Sequence, residues 1–464
     1  MSLVDKILRG TDQDVAILVQ AGAKLDEIDK YGYTPLVECA IVNSVTKAKL
    51  LLQAGAEVDF PDLTGRTALH WAADNGNCEL AKLLLEYEAD PNAYSYVGQP
   101  ILATPILRND KKIKKLLTQS GGSLQFAHEF INAKLIGHRF DLEGRADIVD
   151  AKGQFLELEF EGFYQRFSLD AVLNSLQDFK KNFGGKHLRK YFDKVTTILR
   201  VLQVGAELLK YQHYLTDIKE HAKKIDRLLD CDPLLLPISY EGHAINFIKL
   251  GNWLVRCDRG EYGRDHGTVI FYEIGDSHAF NKQFMKKILY KRQYRAFIDN
   301  ALAHQLHLIP KFTLPLLPQI SGNCSWANIE AVIPALMFYL LIDEQQGQNV
   351  SQAKHDAMYF FNEWLRWDLE RAFYYAWQNF DSLDMAHKAS RATMLAAILF
   401  QYCRYENHED QLKAWRILQT LSQPDLLYIL KSYARSFHKR DYPTEIDNLH
   451  QFLDDAGINI DDLR

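Results

Sequence analysis

The stretch Thr67-Ala68-Leu69-His70-Trp71-Ala72 recurs in the N-terminal part of the chain with a period of 33 residues. Its counterpart 33 positions earlier is Thr34-Pro35-Leu36-Val37-Glu38-Cys39, and a weaker third copy is Pro100-Ile101-Leu102-Ala103. Gly32, Gly65 and Gly98 keep the same spacing. A fixed period of this length is typical of repeat proteins, in which one helix pair buries its apolar face only against its neighbours. The sequence therefore predicts an N-terminal solenoid.

The T-x-L-H-x-A core and its period resemble the ankyrin family, with four units over residues 1–124. The resemblance implies stacked helix pairs with exposed fingers that bind proteins. Aromatic residues and arginine are common anchors at interfaces. The finger residues that we predict to bind a partner are Tyr31, Tyr33, Phe60, Arg66, Tyr94 and Tyr96. The alternative for several of these tyrosines is packing between repeats.

Asn92 occupies the repeat position held by Asp26 and Asp59 in the earlier units. With Leu84 and Asp90 before it, Asn92 resembles the asparagine-hydroxylation site of many ankyrin proteins, although Pro91 departs from the usual aliphatic residue. A turn-capping role for Asn92 is the simpler alternative, because asparagine side chains commonly bond to nearby backbone in turns.

The composition is that of a folded soluble protein, with 47% hydrophobic residues, 25% charged residues and a net charge of −6. The length of 464 residues predicts two to four domains. The negative balance gives no overall basic field, so we expect no direct nucleic-acid contact. The six cysteines form no CxxC pair, which argues against a disulfide framework or a zinc site and fits a reducing compartment. We expect no Sec-type signal peptide and no membrane span.

After Gly121-Gly122 the repeat is lost, and the pattern predicts a strand over 156–161 and helices over 168–230. From Leu234 onward, apolar runs predict a hairpin with Leu250-Gly251 as its turn. In that register His243 and Asp258 face each other, the arrangement in which a carboxylate orients an imidazole. Another strand is predicted over 268–274.

Cys324 lies where a glycine-containing loop enters an apolar helix, a position that stabilises a thiolate. Gln319, five residues upstream, carries a side-chain donor suited to an oxyanion hole. The pair Asp265-His266 is an alternative base and acid. We rank it lower, because neighbours on a strand point to opposite faces.

The order His243, Asp258, Gln319, Cys324 resembles the adenain and Ulp1-like cysteine proteases, and more broadly papain-like enzymes, over residues 234–342. The resemblance implies that Cys324 is the nucleophile, His243 the general base, Asp258 the orienting acid and Gln319 the oxyanion donor. The departures are Ala244 after the histidine, Ser325 after the cysteine, and the shorter spacing of Gln319 from Cys324. These departures concern the substrate groove and the oxyanion geometry and leave the triad residues unchanged.

Residues 350–464 show helical spacing almost throughout. The predicted fold class is therefore a multidomain α+β protein with three parts. Residues 1–124 form the ankyrin solenoid, residues 125–345 the cysteine-protease-like domain with a helical insertion at about 168–230, and residues 346–464 an α-helical cap.

This combination resembles secreted effectors of intracellular bacteria, and the acidic C-terminal residues are similar to type IV secretion signals. The resemblance implies export by a non-Sec route, action in the host cytoplasm or nucleus, and binding of host proteins by the ankyrin repeats. The first hypothesis is a thiol hydrolase acting on a host protein or a ubiquitin-like conjugate, with no cofactor and no metal. The alternative is a non-catalytic effector that binds a host complex. Acyl transfer is a third hypothesis, but the sequence shows no phosphate-binding motif for acetyl-CoA. The run Lys111–Lys115 fits a nuclear import signal or, more simply, the exposed face of a helix.

Overall fold

The computed structural model describes residues 3–30, 32–212, 216–319, 322–344, 349–437 and 443–459. Along these residues, an array of short helices is followed by a mixed region with two antiparallel sheets and then by a block of helices. This order confirms the predicted fold class: an N-terminal solenoid, a central α+β region and a C-terminal helical part.

The N-terminal array consists of paired antiparallel helices that stack along the chain. Its helices are α1 (Leu3–Arg9), α2 (Asp12–Gln20), α3 (Pro35–Ile41), α4 (Val45–Gln53), α5 (Ala68–Asp74), α6 (Cys78–Glu86), α7 (Ala103–Leu107) and α8 (Lys111–Gln119). The repeated motif forms caps for these helices. The Thr34 hydroxyl accepts the Val37 N–H at 3.2 Å, and His70 Nδ1 accepts the Thr67 N–H at 3.1 Å. Each bond satisfies a backbone donor that the first helical turn leaves without a partner.

The central region begins with α9 and contains both sheets. Its helices are α9 (Leu124–Arg139), α10 (Gln165–Lys181), α11 (Phe192–Leu209), α12 (Ala222–Leu229), α13 (Glu261–His266), α14 (Lys282–Tyr290), α15 (Leu302–Gln305), α16 (Cys324–Glu330) and α17 (Val332–Glu344), with a 3₁₀ segment at Phe183–Tyr191 and a π segment at Phe297–Ala301. Its strands are β1 (Arg145–Val149), β2 (Phe155–Glu159), β3 (Leu234–Tyr240), β4 (His243–Leu250), β5 (Trp253–Cys257), β6 (Val269–Ile274) and β7 (Leu308–Leu314). Strands β1 and β2 form a hairpin, and β3 to β7 form an antiparallel meander.

The five-stranded sheet is covered on both faces. On one face, side chains such as Ile248 and Phe271 join the main core with α11, α16 and α17. On the other face, Phe247 and Leu254 pack with α12 and α14. Because both faces are covered, β4 is buried over most of its length, and only its ends reach partly accessible positions.

The C-terminal helices share a continuous core with the central region. They are α18 (Val350–Tyr375), α19 (Met385–Gln401), α20 (His408–Leu421), α21 (Leu427–Phe437) and α22 (Pro443–Asp455), with a 3₁₀ turn at Phe380–Ser382. The main core runs from Ala103 in the last ankyrin helix pair to Leu453 in α22. Within the described residues, one stretch, Cys324–Asp343, has the length and mean hydropathy of a membrane span, and 83% of its 18-residue window is buried inside the fold.

Arginine side chains join the ankyrin array to the central region. Arg108 Nε lies 2.7 Å from Asp170 in α10, and its Nη1 donates to the Asp74 carbonyl at the end of α5. Arg166 donates to the same carbonyl. Because Asp170 is buried and Arg166 is partly buried, these bonds form in a region that excludes much of the water, where hydrogen bonds to charged groups are stronger than in solvent.

Two details of the predicted sheet are corrected. Leu250 pairs with Trp253 and Asn246 pairs with Cys257, so the turn is Gly251-Asn252 and the predicted direct pairing of His243 with Asp258 is wrong. The observed pairing of β4 with β5 is shifted by two residues from the predicted pairing. Because strand side chains alternate with a period of two, each residue stays on its predicted face of the sheet. In addition, β7 forms in a segment where no strand was predicted. It carries Pro310 and is largely exposed, as expected of an edge strand.

Candidate active site

Cys324 is the first residue of α16, as predicted, and its side chain is partly accessible. The backbone N–H groups of Ala244 and Ser325 lower the pKa of its thiol. Ala244 belongs to β4, so the thiol is held at the contact between this strand and the helix start. Donors at this position favour the ionised sulfur.

The structure brings the predicted histidine and aspartate to this thiol. His243 is the first residue of β4, and its imidazole lines the same cavity as the Cys324 side chain, which helps to raise the pKa of the imidazole. His243 Nε2 lies 3.2 Å from Asp258 Oδ1. With Nε2 facing the carboxylate, Nδ1 is the ring nitrogen available to the sulfur. The cysteine, imidazole and carboxylate thus form a continuous chain of contacts.

Asp258 is fixed by donors from several directions. Its Oδ1 also accepts the Gly260 N–H at 3.0 Å, and its Oδ2 accepts from Arg256 Nη2 at 2.7 Å. The Arg256 guanidinium in turn lies 3.4 Å from the centroid of the Tyr262 ring. Asp258 is fully buried, so its carboxylate has few alternative positions. A fixed carboxylate of this kind sets the orientation and tautomer of the imidazole that it contacts.

These contacts favour an ion pair between the imidazole and the thiol. Burial alone lowers the pKa of His243, but the hydrogen bonds to Asp258 and Cys324 outweigh it and raise this pKa to about 9. Burial raises the pKa of the Cys324 thiol, whereas the hydrogen bonds from His243 and from the Ala244 N–H lower it below its usual value. Both shifts favour the imidazolium and thiolate forms over the neutral pair, and the thiolate is the nucleophilic form of cysteine.

Gly260 makes room for the His243 imidazole. This role of Gly260 was not predicted from the sequence. Residue 260 would fall opposite His243 if the register of β4 and β5 continued beyond its last pair, Asn246 with Cys257. A Cβ at Gly260 would lie 2.7 Å from His243 Cε1 and 3.2 Å from Asp258 Oδ1. Any larger residue would push the ring away from the carboxylate.

Gln319 lines the same cleft as Cys324 and His243, a cavity of about 580 Å³. Its backbone N–H donates to the Arg259 carbonyl at 2.8 Å, and its own carbonyl accepts from Arg264 Nη2 at 3.2 Å. Its side-chain Oε1 is buried without a hydrogen-bond partner within the described part of the chain. The backbone of Gln319 is thus anchored beside the thiol, and its role as oxyanion donor stays a prediction.

Asn328 is a buried residue of the site that sequence reasoning missed. It lies one helical turn after Cys324, and its Nδ2 donates to the Ala244 carbonyl at 2.7 Å. Its Oδ1 accepts the Arg259 N–H at 2.6 Å. One amide therefore ties the cysteine helix to the backbone next to His243 and to the backbone next to Asp258. The only signal in the sequence was an asparagine one helical turn after the cysteine.

The structure also shows the role of Ser325, which departs from the protease pattern, and the position of the alternative pair Asp265-His266. Ser325 Oγ donates to the Phe163 carbonyl in the segment before α10, so this serine anchors the helix start from behind. The alternative pair Asp265-His266 lies in helix α13 and not on a strand as we assumed. His266 stacks on the Tyr262 ring at 4.2 Å, with Nδ1 3.1 Å from the Tyr262 carbonyl.

The predicted partner-binding residues differ in how much of their surface is accessible. Tyr94 is 40% exposed and Tyr96 74% exposed. Tyr33 and Phe60 are half-buried, and Tyr31 lies outside the described residues. The Arg66 guanidinium pairs with Asp74 and lies over the Trp71 ring, so its charge is already compensated within the chain. Among these side chains, Tyr94 and Tyr96 offer the largest surface to a partner, and binding by the set stays a prediction.

Asn92 continues a series of bonds that the turns of the array make with one another. Asp26 Oδ1 accepts the Glu57 N–H at 2.9 Å, Asp59 Oδ2 accepts the Asp90 N–H at 2.8 Å, and Asn92 Oδ1 accepts the Ser123 N–H at 2.7 Å. Asn92 Nδ2 also donates to the Gly121 carbonyl at 3.0 Å, a bond that an aspartate cannot make. These contacts support the turn-capping role, and hydroxylation of Asn92 stays a prediction.

The chain is an ankyrin-repeat protein with further α+β and helical parts. The model of the ankyrin-repeat family matches residues 5–95 with three copies. A solved structure, that of the Legionella effector AnkH, is 40% identical in sequence, covers 99% of this chain and 98% of its own, and superposes with a TM-score of 0.91. The chain belongs to the family of the Legionella effector AnkH. No curated protein matches the chain.

Proposed function

We propose that the chain is a secreted effector that works inside a host cell as a thiol hydrolase. The observation that carries this proposal is the contact chain from Cys324 through His243 to Asp258, with the thiol pKa lowered and the imidazole pKa raised. An inert buried cysteine is expected to show the opposite shift, as Cys257 does, because burial raises the pKa of a thiol.

The reaction would proceed by covalent catalysis. The Cys324 thiolate attacks the acyl carbon of an amide, the S–C bond forms, and the carbonyl oxygen becomes an oxyanion near the Cys324 N–H and Gln319. The His243 imidazolium gives its proton to the leaving amine. Neutral His243 then removes a proton from water, the hydroxide attacks the thioester, and the thiolate leaves with a free carboxylic acid as product.

The cleft around Cys324 supports a polypeptide substrate. It is open to solvent and carries acidic residues such as Glu241 and Glu261 together with basic Arg264. The three predicted units, residues 1–124, 125–345 and 346–464, would then have separate tasks. The ankyrin fingers present a host protein, the central unit cleaves it, and the cap supports the fold. The host cytoplasm or nucleus is the proposed place of action, where a free thiol stays reduced.

Covalent probes test this function directly. Full-length chain, Cys324→Ala and His243→Ala are incubated with a peptidyl epoxide and with ubiquitin-like proteins that carry an electrophilic C-terminus, and adducts are mapped by intact and peptide mass. We expect an adduct on Cys324 that is lost in Cys324→Ala and slowed in His243→Ala. New protein N-termini should also arise in host lysate treated with wild type and not with Cys324→Ala. The absence of both adducts and new N-termini would contradict hydrolysis.

The exposure of Tyr94 and Tyr96 favours a second candidate function, binding of a host protein without cleavage. Both lie at the finger of the same repeat, and Tyr94 is supported from behind by Phe126, with ring centroids 5.7 Å apart. In this case Cys324→Ala should capture the same host proteins as wild type, whereas Tyr96→Ala should lose them. Host-cell responses that depend on Tyr96 and not on Cys324 would establish binding as the function.

A further inference from the structure

A large cavity lies away from Cys324, where the helix that follows the ankyrin array meets the C-terminal helices. It has a volume of about 650 Å³ and is lined by α9, the C-terminal end of α18, α19 and α20. Junctions between structural units are common places for small-molecule sites. A cavity of this size accommodates a compact organic molecule.

Two arginines in its wall already have their charges compensated. Arg391 Nη2 lies 3.1 Å from Glu129 Oε1, and its Nη1 donates to the Tyr375 carbonyl at 3.1 Å. Arg371 Nη2 lies 2.6 Å from Asp368. Arg391 and Glu129 are both buried, so this pair forms a fixed polar wall. These groups shape the cavity without leaving a free charge in it.

Arg416 differs from both. Its guanidinium lies 4.2 Å from the centroid of the Trp377 ring and 5.6 Å from that of Tyr374. Within the part of the chain that the structure describes, no carboxylate pairs with the Arg416 guanidinium, and the guanidinium makes no hydrogen bond. The Trp377 platform is itself fixed, because its Nε1 donates to Thr420 Oγ1 at 3.3 Å and its ring packs against Phe373. Stacking thus holds a positive charge in place while its N–H groups remain available to a ligand.

We propose that this cavity binds a small organic anion. Its carboxylate or phosphate group accepts hydrogen bonds from Arg416, and its apolar or aromatic body packs against Tyr374, which is 63% exposed. The uncompensated guanidinium favours an anion, because a carboxylate or a phosphate group can accept two parallel hydrogen bonds from it. The organic body is required by the aromatic lining, since a bare inorganic ion would leave that surface in water. The site is independent of Cys324 and of the proposed hydrolysis.

Calorimetric titration of the full-length chain tests the site with three probes of similar size: phenyl phosphate, benzoate and benzylammonium. The test variant is Arg416→Gln. The matched control is Arg292→Gln, because Arg292 is an exposed arginine that, like Arg416, lies next to an aromatic ring, 5.6 Å from the centroid of Tyr294. Circular dichroism verifies that each variant keeps its fold and melting temperature.

We expect one molecule of phenyl phosphate or benzoate to bind per chain, with at least about tenfold weaker binding in Arg416→Gln, as loss of a charge-assisted hydrogen bond predicts. Arg292→Gln should bind like wild type, and benzylammonium should not bind. The stronger of the two anions identifies the ligand as a phosphate or a carboxylate. Equal affinity in wild type and Arg416→Gln would overturn the proposal. So would the failure of both anions to saturate at about 10 mM, beyond the weakest affinity expected of a specific site.

Discussion

At the scale of single residues, the site depends on how firmly the imidazole and the thiol are held together. Asn328 bonds to backbone on both sides of the triad, at Ala244 beside the histidine and at Arg259 beside the aspartate. It contacts neither a substrate position nor the reacting sulfur by these bonds, so it is a positioning residue. Small displacements in an active site have large effects on rate, because reacting groups need near-contact geometry.

We therefore predict that Asn328→Ala slows alkylation of Cys324 at pH 7 by about tenfold or more, since loss of the two bonds lets His243 move from the thiol. The pH at which alkylation reaches half its maximal rate should rise, which a general loss of stability would not cause. Asn246→Ala is the control. Asn246 is also buried and lies in β4, but its side-chain nitrogen and oxygen have no hydrogen-bond partner in the described structure. If both variants keep the wild-type pH profile, Asn328 has no positioning role.

The residues of the site were only partly predictable. His243, Asp258 and Cys324 were found from the sequence because each is a chemically distinctive residue at the end of an element. The pairing register was wrong by two positions, yet the face was correct, because strand side chains alternate with a period of two. Asn328 and Gly260 act through close contacts between segments distant in sequence, and no local pattern marks such contacts.

At the scale of elements, the ankyrin helix pairs followed directly from the sequence because their information is local and repeated. The turn that closes each pair uses a left-handed residue: Gly22, Gly55 and Gly121 have φ of 79°, 94° and 95°. The equivalent position in the third unit is Glu88, with φ of 65°. By contrast, β7 has a largely exposed pattern and contains a proline, so its sequence does not resemble that of a strand. Its place at the sheet edge depends on pairing with β6, and no local sequence pattern predicts that pairing.

We predict that Glu88→Gly raises the free energy of unfolding of the ankyrin array by about 1 kcal/mol, because glycine adopts the left-handed conformation without the clash of a Cβ. Chemical denaturation of the full-length chain measures the change. Glu86→Gly, two residues earlier at the exposed end of α6, should lower stability by a similar amount, since glycine is a poor helix former. A loss of stability in Glu88→Gly would show that the Glu88 side chain makes a contact worth more than the backbone strain.

At the scale of the whole molecule, a buried charge network joins elements that are far apart in the sequence. Arg139 of α9 pairs with Glu330 of α16 and with Asp368 of α18, and His138 Nε2 lies 3.2 Å from Glu330. Burial raises the pKa of the Glu330 carboxyl, but the positive charges of Arg139 and its neighbours outweigh burial and hold that pKa far below its usual range. The sequence pattern did not predict this network, because nothing local relates its members.

A depressed carboxyl pKa contributes stability above the pKa of the unfolded chain, about 4.3 for glutamate, and that stability is lost as the pH falls. We therefore predict that Glu330→Gln lowers the free energy of unfolding at pH 7 by about 3 kcal/mol or more, because Arg139 loses a buried partner. The stability of this variant should also decline less than that of wild type as the pH falls from about 5 toward about 2, the range below the pKa of the unfolded glutamate. Glu157→Gln, which removes an exposed pair with Arg145, should change stability by less than about 1 kcal/mol. Equal acid sensitivity of Glu330→Gln and wild type would contradict a depressed pKa.

The most direct test of the active-site account is the pH dependence of Cys324 alkylation by limiting iodoacetamide, read by peptide mass in wild type and His243→Ala. Cys78 is an internal reference, because it is partly accessible and its pKa is raised by burial and not lowered by a histidine. We predict that at pH 6.5 Cys324 reacts at least about tenfold faster than Cys78, and that His243→Ala removes this advantage while Cys78 keeps its rate. A Cys324 that reacts no faster than Cys78, or whose rate is unchanged in His243→Ala, would contradict the thiolate–imidazolium pair on which the proposed hydrolysis depends.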